Sequence, residues 1–289
     1  MAITLRKLSE HIGAEVDGID IAKGVDEGTF AQLRKAFCEH AVLVFHDQQL
    51  NDDQHVAFSE GFGSLEPSLA SDPLGDGFLF RISNVDDKGE IIPPDDKRAL
   101  YTAANTLWHS DGAFRRDPLR ASLLSAQVVP PSGGETEYAC LRAAYNALPS
   151  ERKTMLDGLV VTHSMAHSRA QIAPDIMPED FQKDTPPAKH PIVRTITETG
   201  EKVLFVGSYA CGIVGWQAEE GLRLLEDLLE WATQPQFVYQ HVWRVHDLVM
   251  WDNRLCLHRG RPWESTRYKR IMRRTTLAGD GPTVKGELT

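Results

Sequence analysis

The sequence predicts a mainly β fold with flanking helices, in which two sheets pack as a sandwich or jelly roll. Three observations lead there. Short strand-like segments outnumber helical ones and are punctuated by Gly and Pro turns. The helical patterns fall mostly in the first half and in insertions. The chain has 289 residues, 42% of them hydrophobic, enough for one large core, and no linker, repeat or low-complexity stretch divides it. Residues 1–289 are therefore expected to form a single domain.

Residues 1–25 read as short strands and turns, with Gly13, Gly18 and Gly24 as breaks. Asp26 is placed to cap a helix whose Phe30, Leu33 and Phe37 recur at helical spacing until about His40. Ala41 to Phe45 is an unbroken apolar run of buried-strand character. Asn51 or Asp52 caps a second helix through Phe58, stopped by Gly61 and Gly63. Leu79 to Val85 is strand-like, and Asp86 to Leu100, rich in Asp, Lys and Pro, is expected to be a mobile surface loop.

Ala121 to Val129 is an apolar strand that ends at the turn Pro130-Pro131-Ser132-Gly133-Gly134, after which Thr136 and Tyr138 share a face. Helices follow at Leu141 to Asn146 and Ser150 to Leu156, the second capped by Ser150, and then a strand at Val160 to Met165. Residues 166–191 carry five prolines and are too long for a simple connection, which marks a lid insertion. Strands return at Ile192 to Thr197 and Lys202 to Gly207. Trp216 to Thr233 is the longest helical pattern, with Leu222, Leu225 and Leu229 as its apolar stripe. Phe237 to Val245, Leu248 to Trp251 and Arg270 to Leu277 are strand-like, and the tail from residue 280 is expected to be loose.

A net charge of −10 without a basic run argues against nucleic acid as a partner. No apolar run approaches the roughly eighteen residues of a membrane span, and the first residues lack the apolar stretch of a signal peptide, so the expectation is a cytoplasmic protein with no membrane partner. Cys38, Cys140, Cys211 and Cys256 show no Cys-x-x-Cys spacing and are read as reduced.

The chemistry centres on Leu107-Trp108-His109-Ser110-Asp111. In an extended segment His109 and Asp111 point the same way and can grip one ion. A second histidine, His258, follows 149 positions later beyond Trp251-Asp252-Asn253-Arg254. Two imidazoles and one carboxylate form the set that holds iron(II) on one face and leaves positions open for oxygen and substrate. The same donors also suit zinc in a non-redox hydrolase or binding protein. Arg270 and Arg274 have the same strand parity as Met272, so both face inward, roughly 13 Å apart at about 3.3 Å per residue. That spacing fits two different carboxylates, whereas Arg273 faces solvent. Asn105 lies on the His109 face as a candidate substrate contact. His163 and His167 border the lid, where an ordinary structural role competes with substrate contact.

These blocks, together with Val128-Val129-Pro130-Pro131-Ser132-Gly133-Gly134-Glu135-Thr136-Glu137 and His258-Arg259-Gly260, resemble the iron(II)- and 2-oxoglutarate-dependent dioxygenases of the taurine and 2,4-dichlorophenoxyacetate dioxygenase family, most closely the phenoxyacetate branch. The resemblance runs from about Ile12 to Asp280. It implies a double-stranded β-helix (jelly roll), iron(II) bound by His109, Asp111 and His258, and O2 as co-reactant. It also implies 2-oxoglutarate held by Thr136 and Arg270, and Arg274 facing the acidic group of the substrate. The implied reaction is hydroxylation of a small carboxylic acid with release of succinate and CO2. An aryloxyalkanoate split into a phenol and an oxo acid is the first expectation; a taurine-like sulfonate or an aliphatic acid is the alternative. A homo-oligomer is common in such a family.

Overall fold

The apolar runs of the sequence belong to strands that are covered on both faces. The structure, a computed structural model, describes residues 3–72, 75–174 and 176–284. Among these, an eight-stranded sheet has the order Thr4–Lys7, Ala14–Asp17, Val42–Phe45, Leu248–Asp252, Ala121–Val128, Ile271–Leu277, Leu79–Ser83 and Gly75–Asp76. Its pairs are antiparallel except Ala14–Asp17 with Val42–Phe45. Opposite its inner face stands a three-stranded sheet, Val238–His241, Thr136–Cys140 and Cys256–Gly260. This is the expected jelly roll. The order joins strands remote in sequence, as a roll requires.

Alternation along the central strands explains why they look uniformly apolar. Val42, Val44, Leu124, Ala126, Val249 and Trp251 pack inward with Tyr138 and Leu257 of the smaller sheet. Their neighbours Leu43, Phe45, Leu123, Leu248 and Met250 pack on the other face against Phe30, Leu33, Phe37 and Phe58. Those aromatics come from two helices, Glu27–His40, capped by the Asp26 side chain, and Asp52–Glu60, where Asn51 and Gln54 form a reciprocal capping box. Buried on both sides, the strands have no solvent face to mark with polar residues.

Several expectations are corrected. The supposed mobile loop after Val85 is tied by a bridge from Val85 to Ile91 and contains a helix, Lys97–Ala103, capped by Asp96. Ser150 is the first residue of its helix, with Pro149 at the cap position. Residues 166–191 hold ordered elements: helices Met165–Ala170, capped by Ser164, and Glu179–Asp184, then the strand Ala188–Pro191. In the long helix Ala218–Ala232 the buried stripe is Gly221, Leu225, Leu228 and Ala232, with Leu222 and Leu229 on its flanks. The tail is anchored, since Asp280 pairs with Arg254 at 2.6 Å and Thr283 Oγ1 lies 2.6 Å from His190 Nδ1. Its last five residues, 285–289, lie outside the described ones. No helix among the described residues is long and apolar enough to cross a membrane.

The helix Asp52–Glu60 clamps the sheet through His55 and Ser59, which meet Thr275 at 3.3 and 2.6 Å. Burial pushes the His55 imidazole from 6.5 down to about 4. The unfolded chain takes up this proton near 6.5 and the folded chain only near 4, so the stabilisation is complete above pH 6.5 and falls as pH drops toward 4. A His55→Gln variant is expected to show a flatter pH dependence of its urea midpoint between pH 6.5 and 4 than the parent chain.

Candidate active site

The two histidines meet through main chain. His258, in the strand Cys256–Gly260, pairs with Tyr138 on one side and bridges to His109 on the other. His109 N–H donates to His258 O at 3.0 Å and His258 N–H to His109 O at 2.8 Å. After this one bridged residue the chain turns at Asp111, helped by Gly112 at φ 69°. The turn carries the carboxylate round beside the imidazoles. One ligand atom from each of His109, Asp111 and His258 lies within 4.8 Å of the others. His109 Nε2 stands 3.9 Å from Asp111 Oδ1, and His258 Nε2 stands 3.7 Å from Asp111 Oδ2.

Protonation suits a cation. His109 Nδ1 donates to Leu107 O at 2.7 Å, which leaves the Nε2 lone pair free on the side of Asp111. Burial pushes both imidazoles below their ordinary value, in His258 with the help of the neighbouring His109. Burial works to raise the Asp111 carboxyl. Arg274, the two imidazoles and a hydrogen bond from Ser122 outweigh it and hold the group well below the usual carboxylate range. The three side chains thus offer neutral nitrogens and an ionised carboxylate, the forms that bind metal. The donor set fits iron(II) and fits zinc.

Asp111 is held on every side. Ser122 Oγ donates to Oδ2 at 2.7 Å and Arg274 Nη1 donates to Oδ1 at 2.7 Å. Asn253 Oδ1 accepts from Asp111 N at 3.1 Å and from Trp251 Nε1 at 2.9 Å, while Asn253 Nδ2 donates to Ser122 Oγ at 3.0 Å. The sequence offered Arg274 for a substrate acid. Its inward direction is as expected, and it lines the cavity, but the acid it meets is Asp111. Strand parity fixes the direction of a side chain without naming its partner. Arg273 does face out, pairing with Asp52 at 2.5 Å.

Beside the three ligands a cavity of about 280 Å³ is lined by Thr136, Gly134, Arg270, Trp263, Leu124 and Asn105, among others. Arg270 is 8% exposed and has no carboxylate within ion-pair distance among the described residues. Its Nε and the Tyr138 hydroxyl are buried without a hydrogen-bond partner, and burial lowers the guanidinium to about 10. Gly134, at φ 72°, sits in the left-handed region that favours glycine, and a Cβ there would stand 3.3 Å from Arg270 Cδ, a tight contact. A buried, unanswered guanidinium is costly unless an anion joins it. The surroundings of Arg270 therefore fit a small dicarboxylate. Thr136 Oγ1 accepts from Trp243 Nε1 at 2.9 Å, which orients the hydroxyl, and Asn84 Oδ1 accepts from Arg270 N at 2.8 Å.

Asn105 lines the cavity from the short 3-10 turn Ala104–Thr106 and not from an extended strand. His163 and His167 do not line it. His163 is packed between His190 and Phe205, with ring centroids at 5.2 and 5.1 Å. Sequence reasoning missed Ser122, Asn253, Trp243 and Asn84. Asn253 was within reach, since it sits in the Trp251-Asp252-Asn253-Arg254 block five residues before His258.

Residues 4–276 match the family described as taurine catabolism dioxygenase TauD, TfdA family. The chain is 39% identical over 282 residues to an alpha-ketoglutarate-dependent 2,4-dichlorophenoxyacetate dioxygenase of Cupriavidus pinatubonensis, covering 96% of this chain and 98% of that one. It is 35% identical over 287 residues to an (S)-phenoxypropionate/alpha-ketoglutarate-dioxygenase of Sphingobium herbicidovorans, covering 96% of each. In structure it is similar to AAD-2 in complex with Mn(II) and N-oxalylglycine, with a TM-score of 0.91, 40% identity and coverage of 99% of this chain and 100% of the other.

The Asn253 network makes a prediction about the metal-binding group. Asn253→Ala leaves Asp111 N and Trp251 Nε1 without their acceptor. Mn(II) affinity, measured by equilibrium dialysis, is expected to fall at least ~10-fold while the chain stays folded.

Proposed function

Because this chain belongs to the taurine catabolism dioxygenase TauD, TfdA family, we propose that His109, Asp111 and His258 hold its iron(II), that Arg270 and Thr136 hold 2-oxoglutarate, and that its substrate is an aryloxyalkanoic acid. The protein is an iron(II)- and 2-oxoglutarate-dependent dioxygenase. The observation that most supports these roles is one cavity lined by two members of the metal-type cluster, His109 and His258, together with a buried arginine that has no acid of its own among the described residues. A zinc hydrolase would have no use for that arginine.

When bound, iron(II), 2-oxoglutarate and O2 supply an oxidative decarboxylation in which one oxygen atom enters succinate, CO2 leaves, and the other oxygen reaches the substrate as a hydroxyl. The chain's own residues arrange this. Asp111, kept ionised by Arg274 and Ser122, contributes negative charge to the metal, and Leu107 O fixes the His109 tautomer. Arg270, with Trp263 beneath its guanidinium at 5.5 Å, would hold the distal carboxylate of 2-oxoglutarate. The Thr136 hydroxyl, already accepting from Trp243, still has its own proton to donate to that carboxylate.

The substrate class rests on the named relatives and on the apolar lining of the cavity, behind which an aromatic core cluster packs. Tyr101, Phe114, Phe181, Phe205 and Tyr209 pack together with Met165, and Tyr209 stands edge-on to His109 with ring centroids at 6.1 Å. The lid alone supplies only Phe181 of these rings. The others come from the helix Lys97–Ala103, the turn after Asp111, and residues 205–209. The cavity itself is lined by Trp251, Trp263, Ile82, Ile92 and Leu124, and such walls suit an aryl ring better than taurine. Hydroxylation of the carbon between ether oxygen and carboxylate gives a hemiacetal, which splits into a phenol and a 2-oxo acid. A cytoplasmic site of action follows from the need for ferrous iron and 2-oxoglutarate, and the four cysteines are free thiols. A homo-oligomer remains part of this reading, open to light scattering.

Two measurements test the reading. Anaerobic iron(II) with 2-oxoglutarate is expected to give a visible charge-transfer band in the parent chain, which zinc does not produce and which Asp111→Ala and Arg270→Met both lose. Succinate release across a panel of aryloxyacetates, aryloxypropionates, taurine and aliphatic acids is expected to be greatest with the aryloxy acids. A panel led by taurine would overturn the substrate assignment and leave the cofactor roles standing.

A further inference from the structure

Arg270 can meet a carboxylate in one fixed geometry only if its main chain is held, and the loop that leads into it from Gly260 is weakly anchored. None of residues 261–269 is buried, so no core packing fixes this loop. Its first two residues pair with the turn before Thr136, through Arg261 N to Glu135 O at 2.8 Å and Gly134 N to Pro262 O at 3.3 Å. Trp263, whose ring lies under the Arg270 guanidinium, comes next. Beyond Pro262 the hydrogen bonds that tie the loop to another segment, among the described residues, both come from one side chain. Asn84 Nδ2 donates to Ser265 O at 2.7 Å and to Tyr268 O at 2.8 Å.

Asn84 follows the strand Leu79–Ser83 and stands where the ladder with Ile271–Leu277 would continue to Arg270. In an antiparallel pair of this kind the two residues exchange both main-chain bonds. Here one is kept, Asn84 N to Arg270 O at 3.3 Å. In the other the side chain takes the place of the carbonyl, with Asn84 Oδ1 accepting from Arg270 N at 2.8 Å. The carbonyl so released accepts from Ile92 N at 2.9 Å, and Ile92 lines the cavity, as do Asn84, Ser265 and Arg270. Two of the carboxamide's three partners are acceptors and one is a donor, so a primary amide satisfies all of them, and an aspartate or an apolar residue of the same size does not.

We propose that Asn84 is a positioning residue for 2-oxoglutarate, which fixes the Arg270 main chain and the Trp263 loop so that the guanidinium meets the distal carboxylate. The inference rests on the dioxygenase reading and deepens it at the cosubstrate end of the cavity. Asn84 acts through Arg270 and not on the metal ligands. Without its side chain, Arg270 N and Ile92 N are left with one carbonyl between them, and the loop from Trp263 to Lys269 loses its ties to the rest of the chain.

The test is calorimetric binding of N-oxalylglycine and of oxalate to the protein loaded with Mn(II), in the parent chain, Asn84→Ala, Asn84→Ser and Arg270→Met. Both ligands can chelate the metal, but only N-oxalylglycine carries a distal carboxylate for Arg270. We expect Asn84→Ala to weaken N-oxalylglycine at least ~10-fold and oxalate no more than ~2-fold. Asn84→Ser, which keeps an oxygen near Arg270 N but cannot reach both loop carbonyls, should show the same selective loss in smaller measure, and it carries the comparison if the alanine variant does not fold. Equal weakening of the two ligands means that Asn84 only supports the fold, and that overturns the proposal, as does an unchanged N-oxalylglycine affinity in the Asn84 variants. A selective loss in Arg270→Met without one in the Asn84 variants overturns this proposal and leaves the cosubstrate role of Arg270 standing. An Arg270→Met chain that binds N-oxalylglycine as the parent does, or a parent that does not bind it, overturns both.

Discussion

The bridge between His109 and His258 is the constraint on which the site depends. Two main-chain hydrogen bonds, at 3.0 and 2.8 Å, join segments 149 positions apart. Bonds of this kind contribute only about 0.5–1.5 kcal/mol each. Their effect here is geometric. They add the His109 segment to the edge of the small sheet, beyond Cys256–Gly260, and bring the two imidazoles to a centroid separation of 4.2 Å. Backbone sets this placement more firmly than side-chain packing alone. Trp251 then closes on His258 at 4.7 Å from the inner face of the large sheet, so both sheets grip this imidazole.

The third member of the cluster reaches the same point by other means. Asp111 lies in a turn, and turns lack the ladder that fixes a strand. Four groups replace it: Ser122 and Arg274 on the carboxylate, and Asn253 on the backbone N–H, itself oriented by Trp251. Ser122, Trp251 and Arg274 project from three adjacent strands of the large sheet. The outer faces of these strands are clamped by the aromatic residues of the helices Glu27–His40 and Asp52–Glu60. Rigidity at the carboxylate is thus inherited from a sheet buried on both faces.

The parts of the fold that were legible in the sequence had local causes. Val42–Phe45 and Leu248–Asp252 read correctly as buried strands because layers on both sides demand apolar residues at every position. The helices after Asp26 and Asn51 were legible through their caps. The two histidines and the aspartate were legible because their residue types and settings are rare together. Lys97–Ala103 was hidden by the charges and prolines before it, which resemble a loop until Asp96 is seen to accept from Arg98 N. The stripe of Ala218–Ala232 was misplaced by one position because Gly221 and Ala232, too small to announce burial, face the core. Partners were the least legible. Nothing local tells that Arg274 meets Asp111, 163 positions away, or that Trp243 reaches Thr136, 107 positions away.

The same distinction between direction and partner separates structural from functional arginines here. Arg254 is as buried as any, at 4% exposed, but it is ringed by Asp252, Glu198 and Asp280 and joins the loop after Leu248–Asp252 to the tail. Its charge is answered by the chain, so its role ends with the fold. Arg270, which lines the cavity, is buried to a similar degree with no acid beside it among the described residues, which leaves part of the desolvation of its guanidinium unrecovered in the protein alone. An anion bound there would recover it, and by linkage the folded state would gain stability as the ligand concentration rises above its dissociation constant. Such a cost, carried on the wall of the cavity beside His109 and His258, is one that a small dicarboxylate bound there would relieve, whereas the charge of Arg254 offers an incoming anion nothing to recover.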